Sequence, residues 1–169
     1  MARARSFPPL ARADARVLIL GSMPGVESLR RKQYYAHPAN AFWPLMSELF
    51  GAGRDLPYSQ RVERLLGHGV AVWDVLKHCE RDGSLDGAIV RASEVPNDFA
   101  AFFGRHASIR AVFFNGAKSE SAFTQWVRPT LGARADALRF SRLPSTSPAH
   151  AGLSRAGKLK AWRRVREAL

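Results

Sequence analysis

The sequence predicts an α/β fold in which a central, mainly parallel four-stranded sheet is covered by helices on both faces, a three-layer α/β/α arrangement. Three observations predict it. Short apolar runs recur along the chain, segments of helical periodicity separate them, and the chemically unusual residues gather just after the runs.

The first run, residues 17–20 (VLIL), is closed by Gly21; runs at 70–75, 111–114 and 138–143 follow it, each about the length of a strand. Strands alternating with helices suggest a largely parallel sheet covered on both faces. Helical patterns fall at 42–50, 59–66, 98–103, 118–127 and 159–169, the third with Asn97 as its expected N-cap. No repeat, low-complexity tract or second core interrupts the 169 residues, so one domain is expected. Residues 1–15, rich in Arg with two consecutive prolines, are expected to be a flexible basic arm.

Composition narrows the function. With 46% hydrophobic residues the chain has enough apolar surface for a core, and 26 Lys+Arg against 14 Asp+Glu give a net charge of +12. A polyanionic partner is the first suspicion. From Arg139 to the C-terminus eight Lys or Arg stand against one acid, Glu167. A single cysteine, Cys79, excludes an intramolecular disulfide and a four-cysteine cluster, and no pair of the five histidines has zinc-motif spacing, so no metal is expected. No run approaches a membrane span and the start lacks a secretory core, so a cytoplasmic location is expected.

Four polar or Gly/Pro-rich segments follow the four predicted strands. They are GSMPG (21–25), Trp73-Asp74, Asn115-Gly116 and LPSTSPAH (143–150). Ligands of open α/β sheets bind outside the carboxyl ends of the strands, so these segments converge on one candidate crevice. Each also has an ordinary reading as turn chemistry. Ser154, before the last helix, is a candidate phosphate contact with its backbone neighbours.

With GSMPG, YYAHPANAFWPL (34–45) and LPSTSPAHAGLS (143–154) in view, the chain resembles the uracil-DNA glycosylase superfamily over nearly its whole length. It is most similar to the hypoxanthine-DNA (deoxyinosine) glycosylase branch and to the mismatch-specific uracil glycosylases. The resemblance implies a monofunctional, cofactor-free enzyme of base excision repair. Such an enzyme flips a deaminated base, hypoxanthine first and uracil second, out of DNA and hydrolyses its N-glycosidic bond. It implies action as a monomer on DNA, without a membrane or metal partner, in a cytoplasm of bacterial type. Rival readings are a G:U/G:T mismatch uracil/thymine glycosylase, a non-catalytic nucleic-acid-binding module and, more remotely, a flavodoxin-like nucleotide enzyme.

The resemblance also assigns residues. Where other members place Asn or Asp third, or Glu second, in the GxxPG turn, this chain has Met23 and Ser22. The hypoxanthine branch, which this chain resembles in lacking that acid or amide, uses the Asn of its HPxNxFW segment, so the resemblance implies that Asn40 positions the water; Asn40 is also a candidate N-cap for the helix at Phe42. Tyr35 takes the place of the stacking aromatic, and the backbone of Gly21, Ser22 and Met23 is offered to a base carbonyl. Asp74 and Asn115 compete to read the base edge, the amide of Asn115 favoured because it has both a donor and an acceptor. The loop of Ser145, Ser147, Pro148, Ala149 and His150, with Ser154, Arg155 and Lys158, is assigned to DNA; Ser145 replaces a His and Ala149 an intercalating Leu.

Overall fold

The computed structural model describes residues 2–169. In chain order its elements are β1 (Arg3–Arg5), β2 (Val17–Gly21), α1 (Val26–Arg31), α2 (Phe42–Phe50), α3 (Tyr58–Gly67), β3 (Val70–Asp74), β4 (Leu76–Glu80), β5 (Val95–Pro96), α4 (Phe99–Arg105), β6 (Ala111–Asn115), α5 (Ala117–Ala122), β7 (Arg139–Leu143) and α6 (Arg155–Glu167). The central sheet has the order β3-β2-β6-β7, and every pairing in it is parallel.

Alternation along the strands produces the three layers. Leu18 and Leu20 of β2, Ala71 and Trp73 of β3, and Val112 and Phe114 of β6 enter one apolar cluster, joined by Phe99, Phe102 and Phe103 of α4. The residues between them, Val17, Ile19, Val70, Val72, Ala111 and Phe113, enter a second cluster with Phe42, Trp43 and Leu45 of α2 and Trp162 of α6. Successive side chains point to opposite faces, so strands apolar at every position need cover on both sides. Helix α2 ends at Gly51, whose φ of +66° lets its N–H reach the carbonyls of Met46 and Ser47.

Several local expectations are corrected. Residues 2–15 are not a free arm: Arg3–Arg5 pair antiparallel with His78, Cys79 and Glu80 of β4, and Leu10 exchanges both backbone hydrogen bonds with Val72. Met1 lies outside the described residues. The second run stops at Asp74, after which β4 leaves for a three-stranded side sheet, β1-β4-β5. The cap of α4 is Asp98, whose carboxylate accepts from the N–H of Ala101; Asn97 instead donates to the carbonyl of Asp74 at 2.8 Å. The predicted helix at 118–127 is shorter, α5 passing into a π-helical turn at Phe123–Val127. Among the described residues no helix is long and apolar enough to cross a membrane.

Candidate functional site

Strand β2 lies between β3 and β6, so the chain runs one way from β2 to β3 and the other way to β6. Such a reversal leaves a crevice at the strands' carboxyl ends. A cleft of about 930 Å³ occupies that place, lined by Gly21 to Ser28, Tyr34, Tyr35, His37, Asn40, Asp74, residues 84–88, Asn115 to Lys118 and Ser145 to His150. Its size is that of a small-molecule site, roughly 300–1,000 Å³. The four sequence segments therefore meet, as their placement implied.

Asp74 closes the floor. Only 3% exposed, it has a carboxylate oxygen, Oδ2, that meets no hydrogen-bond partner among the described residues. Burial pushes its carboxyl up to about 7, with the Asp86 charge adding and Arg81 opposing. Beside it the hydroxyl of Tyr35 is also buried without a partner, and burial, then the Asp74 charge, holds that phenol well above its ordinary range. Gly21 makes this convergence possible, since a Cβ there would lie 2.5 Å from Asp74 Oδ1 and 2.9 Å from the Tyr35 oxygen. Tyr35 adopts a left-handed φ of +53° and stacks on Phe42, centroids 4.0 Å apart. That conformation is uncommon outside glycine and marks a held position.

Asn115 behaves differently. Its Nδ2 donates to Thr146 Oγ1 and its Oδ1 accepts from Thr146 N–H, both at 2.9 Å. These two bonds tie the amide to the 143–150 loop and leave one Nδ2 hydrogen and one Oδ1 lone pair for a further partner in the cleft that Asn115 lines. Gly116, at φ +95°, lets that loop approach, because a Cβ would sit 3.1 Å from the Cβ of Ser145.

Asn40 lines the cleft; the N-cap of α2 is Ala41 rather than Asn40, whose Oδ1 accepts from the N–H of Phe42 at 2.9 Å, a bond that leaves the second lone pair of that oxygen. Its loop is held by Arg54, which donates to the carbonyls of His37, Pro38 and Asn40. In the loop at 145–150, Ser145 Oγ accepts from Ser147 N–H and Ser147 Oγ from Ala149 N–H, while Pro148, Ala149 and His150 are exposed at the cleft mouth.

The candidate phosphate contacts separate. Ser154 caps α6 through the N–H of Gly157 and stays exposed, as does Arg155. Lys158 is reassigned: 5% exposed, it points its ammonium at the carbonyl of His150, 2.8 Å away, fastening the loop from below. None of these three lines the cleft.

The sequence reading missed one wall. Asp86 accepts from Ser22 Oγ at 2.5 Å, Ser84 Oγ accepts from Val26 N–H, and buried Arg81 donates to the carbonyls of Gly83 and Pro24. The signal was a Gly-flanked turn, DGSLDG, holding two acids and an isolated Leu. Met23 is core-packed at the edge of this wall. Among the described residues no group of three or more His, Cys, Asp or Glu could hold a metal.

A parallel sheet covered on both faces, with a cleft at its switch point, defines an open α/β protein of the ligand-binding kind. The comparisons name the family. The model of the uracil DNA glycosylase superfamily matches residues 8–167. Proteins named hypoxanthine DNA glycosylase from Methanosarcina barkeri and Methanosarcina acetivorans are 37% and 36% identical over 116 residues, 68% of this chain and 72% of each relative. A solution NMR structure from Methanosarcina acetivorans, provisionally described as a uracil DNA glycosylase, superposes with a TM-score of 0.77 at 29% identity, covering 98% of this chain and 99% of its own. The chain belongs to the uracil DNA glycosylase superfamily.

Proposed function

We propose that this protein is a monofunctional DNA glycosylase that excises deaminated bases, hypoxanthine first and uracil second, as a monomer and without a metal or cofactor. The buried, unpartnered carboxyl of Asp74 on the cleft floor carries the reading. Both bases present a carbonyl beside a ring N–H. An ionised carboxylate can accept only from the N–H, whereas a neutral carboxylic acid has an O–H for the carbonyl and a C=O for the N–H. Burial favours that neutral form. The relatives named hypoxanthine DNA glycosylase support the ranking of bases, and the description of the solved neighbour keeps uracil second.

In this reading the damaged nucleotide rotates out of the duplex, at a cost of a few kcal/mol that is least for mispaired bases. The exposed face of Tyr35 stacks on the flipped base while Phe42 backs the ring. Stacking of this kind contributes roughly 1–3 kcal/mol. The free lone pair of Asn40 Oδ1 then orients a water against C1′. Ser154 and Arg155 reach phosphates, and Ala149 and His150 enter the space vacated in the stack.

The test is incubation with oligonucleotides bearing single hypoxanthine or uracil residues, followed by alkaline cleavage of abasic sites. Hypoxanthine is excised fastest, and EDTA changes nothing. Asn40→Ala lowers single-turnover excision by about 10² with DNA binding retained, the usual worth of one positioned catalytic contact. Faster excision of uracil or thymine opposite G would favour the mismatch reading.

A further inference from the structure

We propose that Asp86 is a catalytic residue, the proton acceptor for the attacking water, brought to the GSMPG turn by the segment at 81–89; this rests on the glycosylase reading above. Two features of the molecule support it: how firmly that segment is fixed, and which acids the cleft contains.

Asp86 opens a short 3-10 turn, and its carboxylate takes a 2.5 Å hydrogen bond from Ser22 Oγ. The segment is pinned to the same turn at two further points. Arg81, 2% exposed, donates to the carbonyl of Pro24 on one side and of Gly83 on the other. Ser84 Oγ takes the N–H of Val26 at 2.8 Å. An antiparallel bridge between Arg81 and Ile89 closes the base of the segment. A carboxylate held this way, on an exposed residue lining the cleft, is a placed group rather than a solvated loop acid.

Three acids line the cleft: Glu27, Asp74 and Asp86. Glu27 is committed to Arg30 and Arg31, which hold its carboxyl down at about 2. Asp74 is buried on the cleft floor, where the reading above engages its carboxyl with the base edge. The amide of Asn40 orients a water but has no basicity to take its proton. That leaves Asp86, whose negative charge already acts on both Asp74 and Tyr35.

The step balances without another reactant. The water oxygen bonds to C1′ as the C1′–N bond breaks, and the bonding pair leaves with the base. The proton of the water passes to the Asp86 carboxylate, whose charge also faces the positive sugar that forms in passing. The base departs as its anion and is protonated from solvent, and Asp86 returns its proton to solvent.

The experiment compares wild type, Asp86→Asn, Asp86→Gly and Asn40→Ala in single-turnover excision from hypoxanthine-containing duplex. Affinity for undamaged duplex and melting temperature are measured alongside. Asp86→Asn keeps an acceptor for Ser22 and is expected to lose about 10²-fold in rate. Its melting temperature stays unchanged and its DNA affinity unchanged or tighter, since a negative charge has gone. Formate is expected to restore Asp86→Gly at least tenfold. An Asp86→Asn rate within threefold of wild type, beside a crippled Asn40→Ala, overturns the proposal and leaves the glycosylase reading intact. Rate loss that tracks melting temperature or DNA affinity, with no formate rescue, overturns it too, by making Asp86 scaffold or binding surface. Wild-type protein that excises no deaminated base removes the glycosylase reading itself.

Discussion

The ends of β3 and β6 flank Gly21 and carry polar side chains of similar size, yet they do opposite things. Asn115 has both ends of its amide answered by Thr146. Asp74 keeps an oxygen buried and unanswered. An unpaired buried polar group costs roughly 1–3 kcal/mol, so a fold that retains one has a use for it. Burial and polarity are common to the pair; what separates Asp74 is an oxygen without a hydrogen-bond partner among the described residues, and the proposal that it reads the base edge rests on that difference. The largest expected effect follows from it. Asp74→Ala is expected to lose about 10²-fold in excision of both hypoxanthine and uracil, since a base edge without partners in a closed pocket costs that order of free energy. Asp74→Asn, which preserves one donor and one acceptor, stays within about tenfold. Equal damage by both substitutions would break the contrast.

The same side chain links activity and stability to pH. Facing it are Tyr34 and Tyr35 from the loop after α1, Tyr58 of α3, Arg81 after β4, and Asp86. Its carboxyl rises from an ordinary 3.8 to about 7, so between those values the folded chain holds a proton that the unfolded chain has released. Stability contributed by this group therefore falls as pH rises from about 4 through about 7 and is level above. The melting-temperature margin of Asp74→Asn over wild type should grow across that window and then stay constant. Wild-type excision should decline above pH 7, where the acid loses its O–H, and Asp74→Asn should lack that decline. A margin independent of pH would show that the carboxyl is charged throughout.

Asn115→Ala sharpens the comparison from the other side. It removes two hydrogen bonds that tie β6 to the 143–150 loop, so stability is expected to fall by about 1–3 kcal/mol. Excision should fall with it on every substrate. Activity lost at an unchanged melting temperature would restore Asn115 as a base reader.

What was legible in the sequence divides along the same line. Three central strands could be read because strands covered on both faces are apolar at nearly every position; β7, Arg-Phe-Ser-Arg-Leu with only Leu143 buried, carries a weaker signal, and the cleft was legible because it collects the segments after the strands. The side sheet could not be read. Its β1 is Arg-Ala-Arg, in which only Ala4 is buried, and its partner β4 lies some 75 residues away. Asp86 was not singled out in the sequence, because DGSLDG has the composition of an ordinary turn and its approach to Ser22 is purely tertiary. The different pairing of Asp74 and Asn115 was not legible, because a sequence lists donors and acceptors but not which of them meet a partner in the fold. The upward shift of the Asp74 carboxyl was hidden for the same reason, since burial is its first cause.

Two cations of α6 offer a smaller version of the contrast. Arg155 and Lys158 are three positions apart on one basic helix and read alike in the sequence, yet Arg155 is exposed while the Lys158 ammonium is turned inward onto the His150 carbonyl. Burial, with the Arg155 charge adding, also pulls the Lys158 ammonium below its ordinary range. Only a cation that displaces counterions from phosphate contributes to the salt dependence of DNA binding, by about 0.9 in the slope of log affinity against log salt. Arg155→Ala is therefore expected to flatten that slope by about one unit with no change in melting temperature. Lys158→Met should leave the slope alone and lower stability by about 1 kcal/mol, the worth of one buried hydrogen bond to a loop carbonyl. Titrations of undamaged duplex between 50 and 200 mM salt, about the range over which counterion release is steep, measure both. A slope change in Lys158→Met equal to that in Arg155→Ala would mean the ammonium leaves His150 to meet the backbone when DNA binds.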